Sequence, residues 1–188
     1  MRRAIVVIFI SDTQNQERRM LISGGCHCRN IRFALTWKPE PLEIPARACT
    51  CSFCVKHGGV WTSCPTGSLR IAVKETSLVT DYAFGTKTAQ FRVCSRCGVV
   101  PVVTSKIDGH LYAVVSVNAF EGIAPSFLRH SPATFDGEGE GDRLARRKRN
   151  WIPDVDYFEG DLTVPSSESR APSPFISVAS ASSSADHH

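Results

Sequence analysis

Short runs of apolar and β-branched residues, broken by glycine and proline, follow one another along the middle of the chain. Runs of this length and composition predict β-strands. They are Ile31–Trp37, Val60–Cys64, Leu69–Val73, Gln90–Val93 and Val99–Ile107. Asp108 and Gly109 stand between the last run and His110–Val117, and this dipeptide favours the two-residue turn of a β-hairpin. The pattern therefore predicts a mainly β fold of short antiparallel sheets.

Only residues 138–150 have the composition of a helix, because good helix formers and charged residues surround Leu144. We therefore expect one short helix, near the C-terminal end. The stretch before Cys49 contains Pro39, Pro41 and Pro45. Proline fixes φ and removes a backbone donor, so this stretch is interpreted as an extended loop.

The two ends of the chain differ in composition from its middle. Arg2, Arg3 and the apolar residues 4–10 imitate a short signal peptide, but no small-residue cleavage pattern follows them. Residues 1–19 are therefore predicted to be a non-structural extension, and Met20 is a candidate start of translation. We expect a folded domain over residues 20–160 and a disordered Ser/Pro/Ala-rich tail over residues 161–188.

Charge and hydropathy restrict the partners. The 188 residues carry a formal charge of +4, and no apolar run approaches the roughly 20 residues that cross a bilayer, so no membrane contact is expected. Basic residues concentrate in residues 143–149, where on a helix they would cover most of the circumference. We expect a solvated helix or contact with an acidic partner. Nucleic acid is disfavoured because interleaved aromatic residues are lacking.

The cysteines are the strongest chemical signal. Seven of the eight cysteines lie in tight clusters, which is typical of metal binding rather than of a disulfide framework. Close neighbours in sequence are poorly placed to bridge each other, but their thiolates can share one soft cation. A reducing, cytoplasmic location fits this use of cysteine.

Two cysteine pairs predict a closed site. In an extended segment, Cys26 and Cys28 project to the same side, and a tight turn ending at Gly98 brings Cys94 and Cys97 together. Four thiolates saturate a tetrahedral zinc ion. We therefore predict a structural zinc site on Cys26, Cys28, Cys94 and Cys97, which contributes directly to folding.

The third cluster, Cys49, Cys51 and Cys54, supplies three thiolates and no fourth. Catalytic zinc commonly keeps three protein ligands and leaves one position for water or substrate, so this cluster predicts an open, catalytic site. Two alternatives stay open at this point. In the first, Cys64, His57 or His27 supplies a fourth ligand and closes the coordination sphere. In the second, two ions are bound but the cysteines are divided between them in a different way.

Three further side chains near the open cluster are weaker candidates. The ammonium of Lys56 would suit a carboxylate of an anionic cosubstrate, or would simply compensate the charge of the thiolates. His57 is interpreted as a surface histidine or as a proton shuttle. Cys64 lies on a β-like run, where a buried thiol is the usual finding.

The order of the motifs, Cys26-His27-Cys28, then Cys49 to Cys54, then Cys94 to Gly98, resembles the glutathione-dependent formaldehyde-activating family. That family also includes the domain of centromere protein V. The resemblance covers about residues 20–160. It implies a zinc-binding β-tent with a structural zinc on the outer pairs and a catalytic zinc on the middle triplet.

The activity that the resemblance implies joins formaldehyde to the thiol of glutathione, a reaction classed with the carbon–sulfur lyases. The chain departs from the family pattern at Arg29, where glycine is frequent, and at Val55, which replaces the first residue of a basic doublet. The leading hypothesis is therefore a two-zinc enzyme that takes a small aldehyde and glutathione or another thiol. The alternative is a noncatalytic zinc-stabilised module that binds an acidic partner or nucleic acid.

Overall fold

The computed structural model describes residues 18–162, so the predictions for residues 1–17 and 163–188 lie outside the described residues. Within this range the chain forms eleven strands. In chain order they are β1 (Met20–Gly25), β2 (Ile31–Trp37), β3 (Ile44–Cys49), β4 (Val60–Thr62), β5 (Ser68–Val73), β6 (Val79–Tyr82), β7 (Gln90–Cys94), β8 (Val102–Ile107), β9 (His110–Ser116), β10 (Leu128–Ala133) and β11 (Asp154–Glu159). Two α-helices, α1 (Ser52–His57) and α2 (Glu140–Asn150), and 3-10 turns at Thr76–Leu78, Val117–Ala119 and Pro125–Phe127 complete this range.

The strands form two sheets. The smaller has the order β1-β2-β5-β11, and the larger has the order β10-β3-β4-β9-β8-β7-β6. Most neighbours are antiparallel, as predicted, but the edge strands β10 and β11 pair in parallel with β3 and β5. The mainly β fold class predicted from the pattern is confirmed.

The main core lies between the two sheets. Phe33, Leu35 and Ile71 of the smaller sheet belong to one buried cluster with Val102 and Val115 of the larger sheet. The next residues along β8 and β9, Val103 and Val114, belong to a second cluster on the opposite face. Because side chains alternate along a strand, the centre of the larger sheet is buried on both faces. The second face is the one that carries the candidate site.

The predicted runs form strands with small shifts at their ends, and the hairpin is confirmed. Asp108 and Gly109 connect β8 to β9, with φ values of 51° and 80°. Positive φ at both positions is what a two-residue turn of this kind requires.

The proline-rich stretch before Cys49 is only partly a loop, and the interpretation of the whole stretch as a loop is wrong. Residues 44–49 form β3, which pairs with β10 on one side along its whole length. On the other side β4 pairs only with Arg47 and Ala48. Pro45 therefore lies outside the part of β3 that pairs with β4. A residue without a backbone N–H group is tolerated at such a position.

A second helix was not predicted, so the expectation of a single short helix is incomplete. Residues 52–57 form α1, in a segment for which the sequence pattern predicted no helix. Gly58, with φ of 61°, ends this helix in the left-handed conformation that glycine adopts without strain. The predicted helix over residues 138–150 is present as α2, beginning two residues later. No helix of the described residues is long and apolar enough to cross a membrane.

Candidate functional site

The two outer cysteine pairs meet where the sheets join. Cys26 and Cys28 lie in the turn between β1 and β2, and Cys94 and Cys97 lie at the end of β7 and in the turn that follows it. The four sulfur atoms lie within 4.8 Å of one another. The Cys26–Cys28 and Cys28–Cys94 sulfur distances are 3.7 and 3.4 Å. A tetrahedral zinc site with bonds of about 2.3 Å separates its sulfurs by about 3.8 Å, so this donor set fits one such ion.

The first pair reaches this geometry by a turn rather than by the extended segment that was expected. The Arg29 N–H donates to the Cys26 carbonyl at 2.9 Å, and Arg29 itself has a φ of 63°. The Ile31 N–H donates to the Cys26 sulfur at 3.2 Å. The turn therefore brings the thiols together and also supplies a backbone donor that stabilises a thiolate.

Burial and backbone donors act in opposite directions on these thiols. Desolvation raises the pKa of Cys26 to about 12. Desolvation also acts on Cys97, but the backbone N–H groups of Cys28 and Val99 outweigh it and lower the pKa of Cys97 to about 6. None of the eight cysteines forms a disulfide. Thiols with stabilised anionic forms are suitable ligands for a soft cation.

The middle triplet forms around α1. Cys49 ends β3, Cys51 is the N-cap of the helix, and Cys54 lies in its first turn and is buried. The Cys51 sulfur accepts the Cys54 N–H at 3.5 Å, which is the usual role of an N-cap side chain. The three sulfurs lie within 4.8 Å of one another. A short helix at the end of a strand therefore gathers three thiols from six consecutive residues.

A hydrogen-bonded thiol pair lies within the triplet. A hydrogen bond from the Cys54 thiol lowers the pKa of Cys49 to about 6. The pKa of Cys54 is raised, first because it donates that bond and then because it is buried. The indole N–H of Trp61 also donates to the Cys54 sulfur, at 3.3 Å. Within the triplet the anionic form of Cys49 is therefore favoured over that of Cys54.

None of the three side chains considered as a fourth ligand joins this group. Among residues 18–162, the mutually close ligand atoms around the triplet come from its three cysteines alone. His27 is exposed at the other cluster, and His57 stacks on Phe53 with ring centroids 4.4 Å apart. Cys64 is buried and donates to the Lys38 carbonyl at 3.4 Å.

A cavity of about 830 Å³ opens beside the triplet, and all three of its cysteines line it. Its floor is the second face of the larger sheet, with Trp61, Phe91, Val103 and Val114. This volume is in the range of small-molecule sites, which are typically about 300 to 1,000 Å³. The described thiols outside the lining, including Cys64, have no access to this space.

Helix α2 closes one side of the cavity, which corrects the interpretation of the basic run as a solvated helix. Arg147 is buried, and Arg143, Arg146 and Arg147 all line the cavity. Arg147 donates from one nitrogen to the Thr88 carbonyl, the Thr88 hydroxyl and the Ser105 hydroxyl, at 2.8 to 3.2 Å. A guanidinium group on a polar helix can be buried when carbonyl and hydroxyl oxygens accept its hydrogen bonds. The composition of the helix does not show whether such acceptors face it.

Lys56 lies exposed on α1 and is not among the residues that line the cavity. The cations that do line it are four arginines, Arg47, Arg143, Arg146 and Arg147. Burial is the main cause that lowers the pKa of Arg147 to about 10. Sequence reasoning missed Arg47, Trp61 and Phe91. The Pro45, Arg47, Cys49 alternation would have placed Arg47 beside the triplet had this segment been predicted as a strand.

The fold and the two cysteine clusters define a mainly β protein with two groups of thiols that could hold metal ions. A sequence model described as "Glutathione-dependent formaldehyde-activating enzyme" matches residues 21–130. The chain belongs to this family. A crystal structure of a Rhodobacter sphaeroides protein, a Northeast Structural Genomics target, is 28% identical and covers 60% of this chain and 99% of its own, with a TM-score of 0.44.

Proposed function

We propose that the protein is a zinc-dependent enzyme of the carbon–sulfur lyase type, which joins formaldehyde or another small aldehyde to glutathione or a related thiol. The observation that carries this proposal is the three-thiol group that faces the 830 Å³ cavity with no fourth protein ligand among the described residues. An ion held by three side chains keeps a position for substrate. Membership of the formaldehyde-activating family supports the choice of reaction.

Each cluster has a separate role in this proposal. Cys26, Cys28, Cys94 and Cys97 would hold a structural zinc, and Cys49, Cys51 and Cys54 would hold the catalytic one. When bound at the triplet, zinc supplies Lewis acidity, which lowers the pKa of a thiol and polarises an aldehyde oxygen. Bound metal requires reduced cysteines, so we also propose a reducing compartment.

The protein's own residues orient the triplet and shield it. Trp61 holds the Cys54 sulfur through its indole N–H. Phe53 anchors α1 by packing on Tyr82, Phe84 and Phe91, with centroid distances of 4.7 to 5.3 Å. Two of these rings, Phe84 and Phe91, also line the cavity next to the triplet.

The overall reaction is an addition that needs no oxidant. A carbon–sulfur bond forms between the thiol sulfur and the aldehyde carbon, the carbon–oxygen double bond becomes a single bond, and the thiol proton ends on the oxygen. The product with glutathione and formaldehyde is S-hydroxymethylglutathione. The enzyme therefore has to align two reactants and stabilise charge on sulfur and oxygen.

Exchange NMR with labelled formaldehyde and glutathione measures this reaction at equilibrium, including its spontaneous rate. Zinc-loaded protein is expected to accelerate exchange between free aldehyde and adduct, and Cys54→Ser is expected to remove the acceleration. A panel of other thiols and aldehydes identifies the preferred pair. Exchange at the spontaneous rate with every pair, in protein that carries both zinc equivalents, would defeat the proposal.

The noncatalytic alternative has less support. It relied on an exposed basic helix, but Arg143 and Arg146 pair with Glu138 and Arg147 is buried. Lys148 pairs with Asp108. Among residues 18–162, Arg149 is the exposed cation of this run without a carboxylate partner. One such cation is a weak basis for binding an acidic partner.

A further inference from the structure

The cavity has more positive than negative side chains. Four arginines line it, and Asp136 is the one carboxylate in the lining. Glu138 lies next to this wall and pairs with Arg146 through two hydrogen bonds of 2.8 Å. Asp136 and Glu138 offset two of the four guanidinium charges, and three thiolates holding one Zn²⁺ would add a net charge of −1. The wall therefore keeps an excess of about one positive charge in a partly enclosed space. Such a site attracts anions.

The three arginines of α2 are already engaged. Arg146 is held by Glu138 and lies over the Phe135 ring, 3.8 Å from its centroid. Arg143 donates to the Phe135 and Glu138 carbonyls at 3.0 and 3.3 Å. Arg147 donates from Nη1 to Thr88 and Ser105, and its Nε has no hydrogen-bond partner but is itself buried, so a ligand in the cavity does not reach it. These contacts hold the helix against the sheet. The three arginines of α2 therefore have a structural role.

Arg47 is different. Its Nη2 donates to the Ser63 hydroxyl at 2.6 Å, and that hydroxyl donates in turn to the Asn150 carbonyl at 2.7 Å. Among residues 18–162 it has no carboxylate partner, and its Nε and Nη1 groups have no acceptor. The side chain is half-buried in the cavity wall. Arg47 is therefore held in place by neutral groups while its remaining donors stay free for a ligand.

The position of Arg47 relates it to the chemistry. Pro45, Arg47 and Cys49 are alternate residues of β3, and all three line the cavity. Side chains two residues apart share one face of a strand, and their Cα atoms are separated by about 6.7 Å. One rigid element therefore holds a free guanidinium and a member of the thiol triplet at a fixed spacing along the same wall.

We propose that Arg47 binds a carboxylate of the thiol cosubstrate and so places the thiol at the Cys49, Cys51 and Cys54 site. This inference rests on the proposed function and names the class of thiol, which is one that carries a carboxylate. Trp61 lies between the two groups, because it is paired with Arg47 across the sheet and donates to the Cys54 sulfur. Guanidinium groups recognise carboxylates through paired hydrogen bonds, which makes Arg47 a specificity-determining residue.

A competing account is that Arg47 only offsets the negative charge of the thiolates. The two accounts predict different measurements. Charge compensation acts on the metal site and affects every thiol equally, whereas a carboxylate contact acts only on thiols that carry a carboxylate.

The experiment compares two nearly isosteric probes, 3-mercaptopropionate and 3-mercaptopropionamide, by calorimetric titration of the zinc-loaded full chain. The variants are Arg47→Gln, Arg47→Lys and, as a matched loss of one charge on an exposed position, Arg149→Gln. The two probes also differ in the acidity of the thiol, but this difference is the same in every variant. A change in the ratio of their dissociation constants therefore reports the carboxylate contact.

We expect wild type and Arg149→Gln to prefer the carboxylate probe by about tenfold or more, because hydrogen bonds to charged groups have this strength. Arg47→Gln is expected to lower this preference by about tenfold with unchanged zinc content. Arg47→Lys keeps the positive charge but loses the paired N–H donors of the guanidinium group, so it should give an intermediate ratio. If Arg47→Gln does not fold, the wild-type preference and the Arg47→Lys ratio decide.

Equal weakening of both probes, loss of zinc in a folded Arg47→Gln, or no preference in wild type would overturn the assignment. The outcome is separate from that of the proposed reaction. An Arg47-dependent preference without any aldehyde turnover keeps the subsite and rejects the reaction. Turnover without the preference keeps the reaction and rejects the subsite.

Discussion

The indole nitrogen of Trp61 lies 3.3 Å from the sulfur of Cys54 and donates a hydrogen bond to it. Both residues are buried, and Trp61 is the Cα partner of Arg47 across the β3–β4 pair. A donor from β4 thus fixes the position of one sulfur of the triplet. Donors of this kind orient ligands and stabilise their ionised form.

Trp61→Phe is expected to weaken zinc binding at the triplet by roughly tenfold, since substitutions of groups that hydrogen-bond to metal ligands cost about 10- to 100-fold in affinity. The ring remains while the N–H is lost. Competition with a chromophoric chelator measures the affinity. Trp151→Phe is the matched control, because Trp151 lines the same cavity and donates to no cysteine. Equal effects of the two substitutions would contradict the role of the indole donor.

Cys54→Ser and Cys97→Ser should have different consequences. Cys54→Ser is expected to lose one zinc equivalent and all activity with a modest loss of stability, because the triplet spans only six residues. Cys28 and Cys94 are 66 residues apart, and fastening so long a loop restrains the unfolded chain by about 2 kcal/mol more. Zinc counting and thermal unfolding of both variants provide the comparison. Similar destabilisation with activity retained in Cys54→Ser would reject the assignment of roles.

Gly59→Ala should disturb the triplet through a steric contact. A Cβ at this position would lie 2.9 Å from the Trp61 indole nitrogen and 3.0 Å from the Cys54 sulfur. We expect a loss of about 1 to 3 kcal/mol in the free energy of unfolding, together with weaker zinc binding. Gly58→Ala is the control, because its φ of 61° costs backbone strain but no atom lies within 4 Å of the added carbon. It should lower stability and leave zinc affinity unchanged.

Arg147→Met should destabilise the protein by about 2 to 3 kcal/mol, because the Thr88 and Ser105 acceptors lose a charged donor inside the structure. Arg149→Met, on the exposed side of the same helix, should remain within about 0.5 kcal/mol of wild type. Chemical denaturation measures both. A neutral outcome for Arg147→Met would show that α2 does not depend on this contact.

Glu138 makes the stability of α2 depend on pH. Its hydrogen bonds from Arg146 lower the pKa of the carboxyl below its usual range. A carboxyl with a lowered folded-state pKa stabilises the fold above its unfolded pKa of about 4.3, and this contribution disappears as the pH falls through the folded value. Glu138→Gln should therefore cost about 1 kcal/mol at pH 7. The difference from wild type should vanish in acid, and unfolding measured across pH checks both parts.

Local patterns in the sequence predicted most of the strands of the larger sheet and the grouping of the thiols. Alternating apolar residues and the Asp108-Gly109 turn are short-range signals, and the spacing of cysteines directly limits which sulfurs can meet. β3 was missed because Pro45 argues against a strand, and Pro132 within β10 breaks the strand pattern in the same way. Both prolines are accommodated by incomplete pairing, β3 beside a short β4 and β10 at the edge of its sheet, which is a property of the assembled sheet.

The cavity wall could not be predicted for a similar reason. Whether a basic helix is solvated depends on what faces it, and the acceptors for Arg147 come from Thr88 and Ser105, far away in the sequence. Composition favoured an exposed helix because guanidinium groups are costly to bury without partners. Arg47 escaped notice because its significance comes from a shared strand face with Cys49, and that face exists only once β3 is known.

The family match ends at residue 130, whereas one side of the cavity comes from residues 133–151. The cysteines that would carry the reaction and the helix that shapes the space in front of them are therefore encoded in separate stretches of chain. Changes in the second stretch can alter which molecules enter without touching the thiols that act on them. Substitutions in residues 133–151 therefore reshape the cavity while the cysteines of the triplet stay in place.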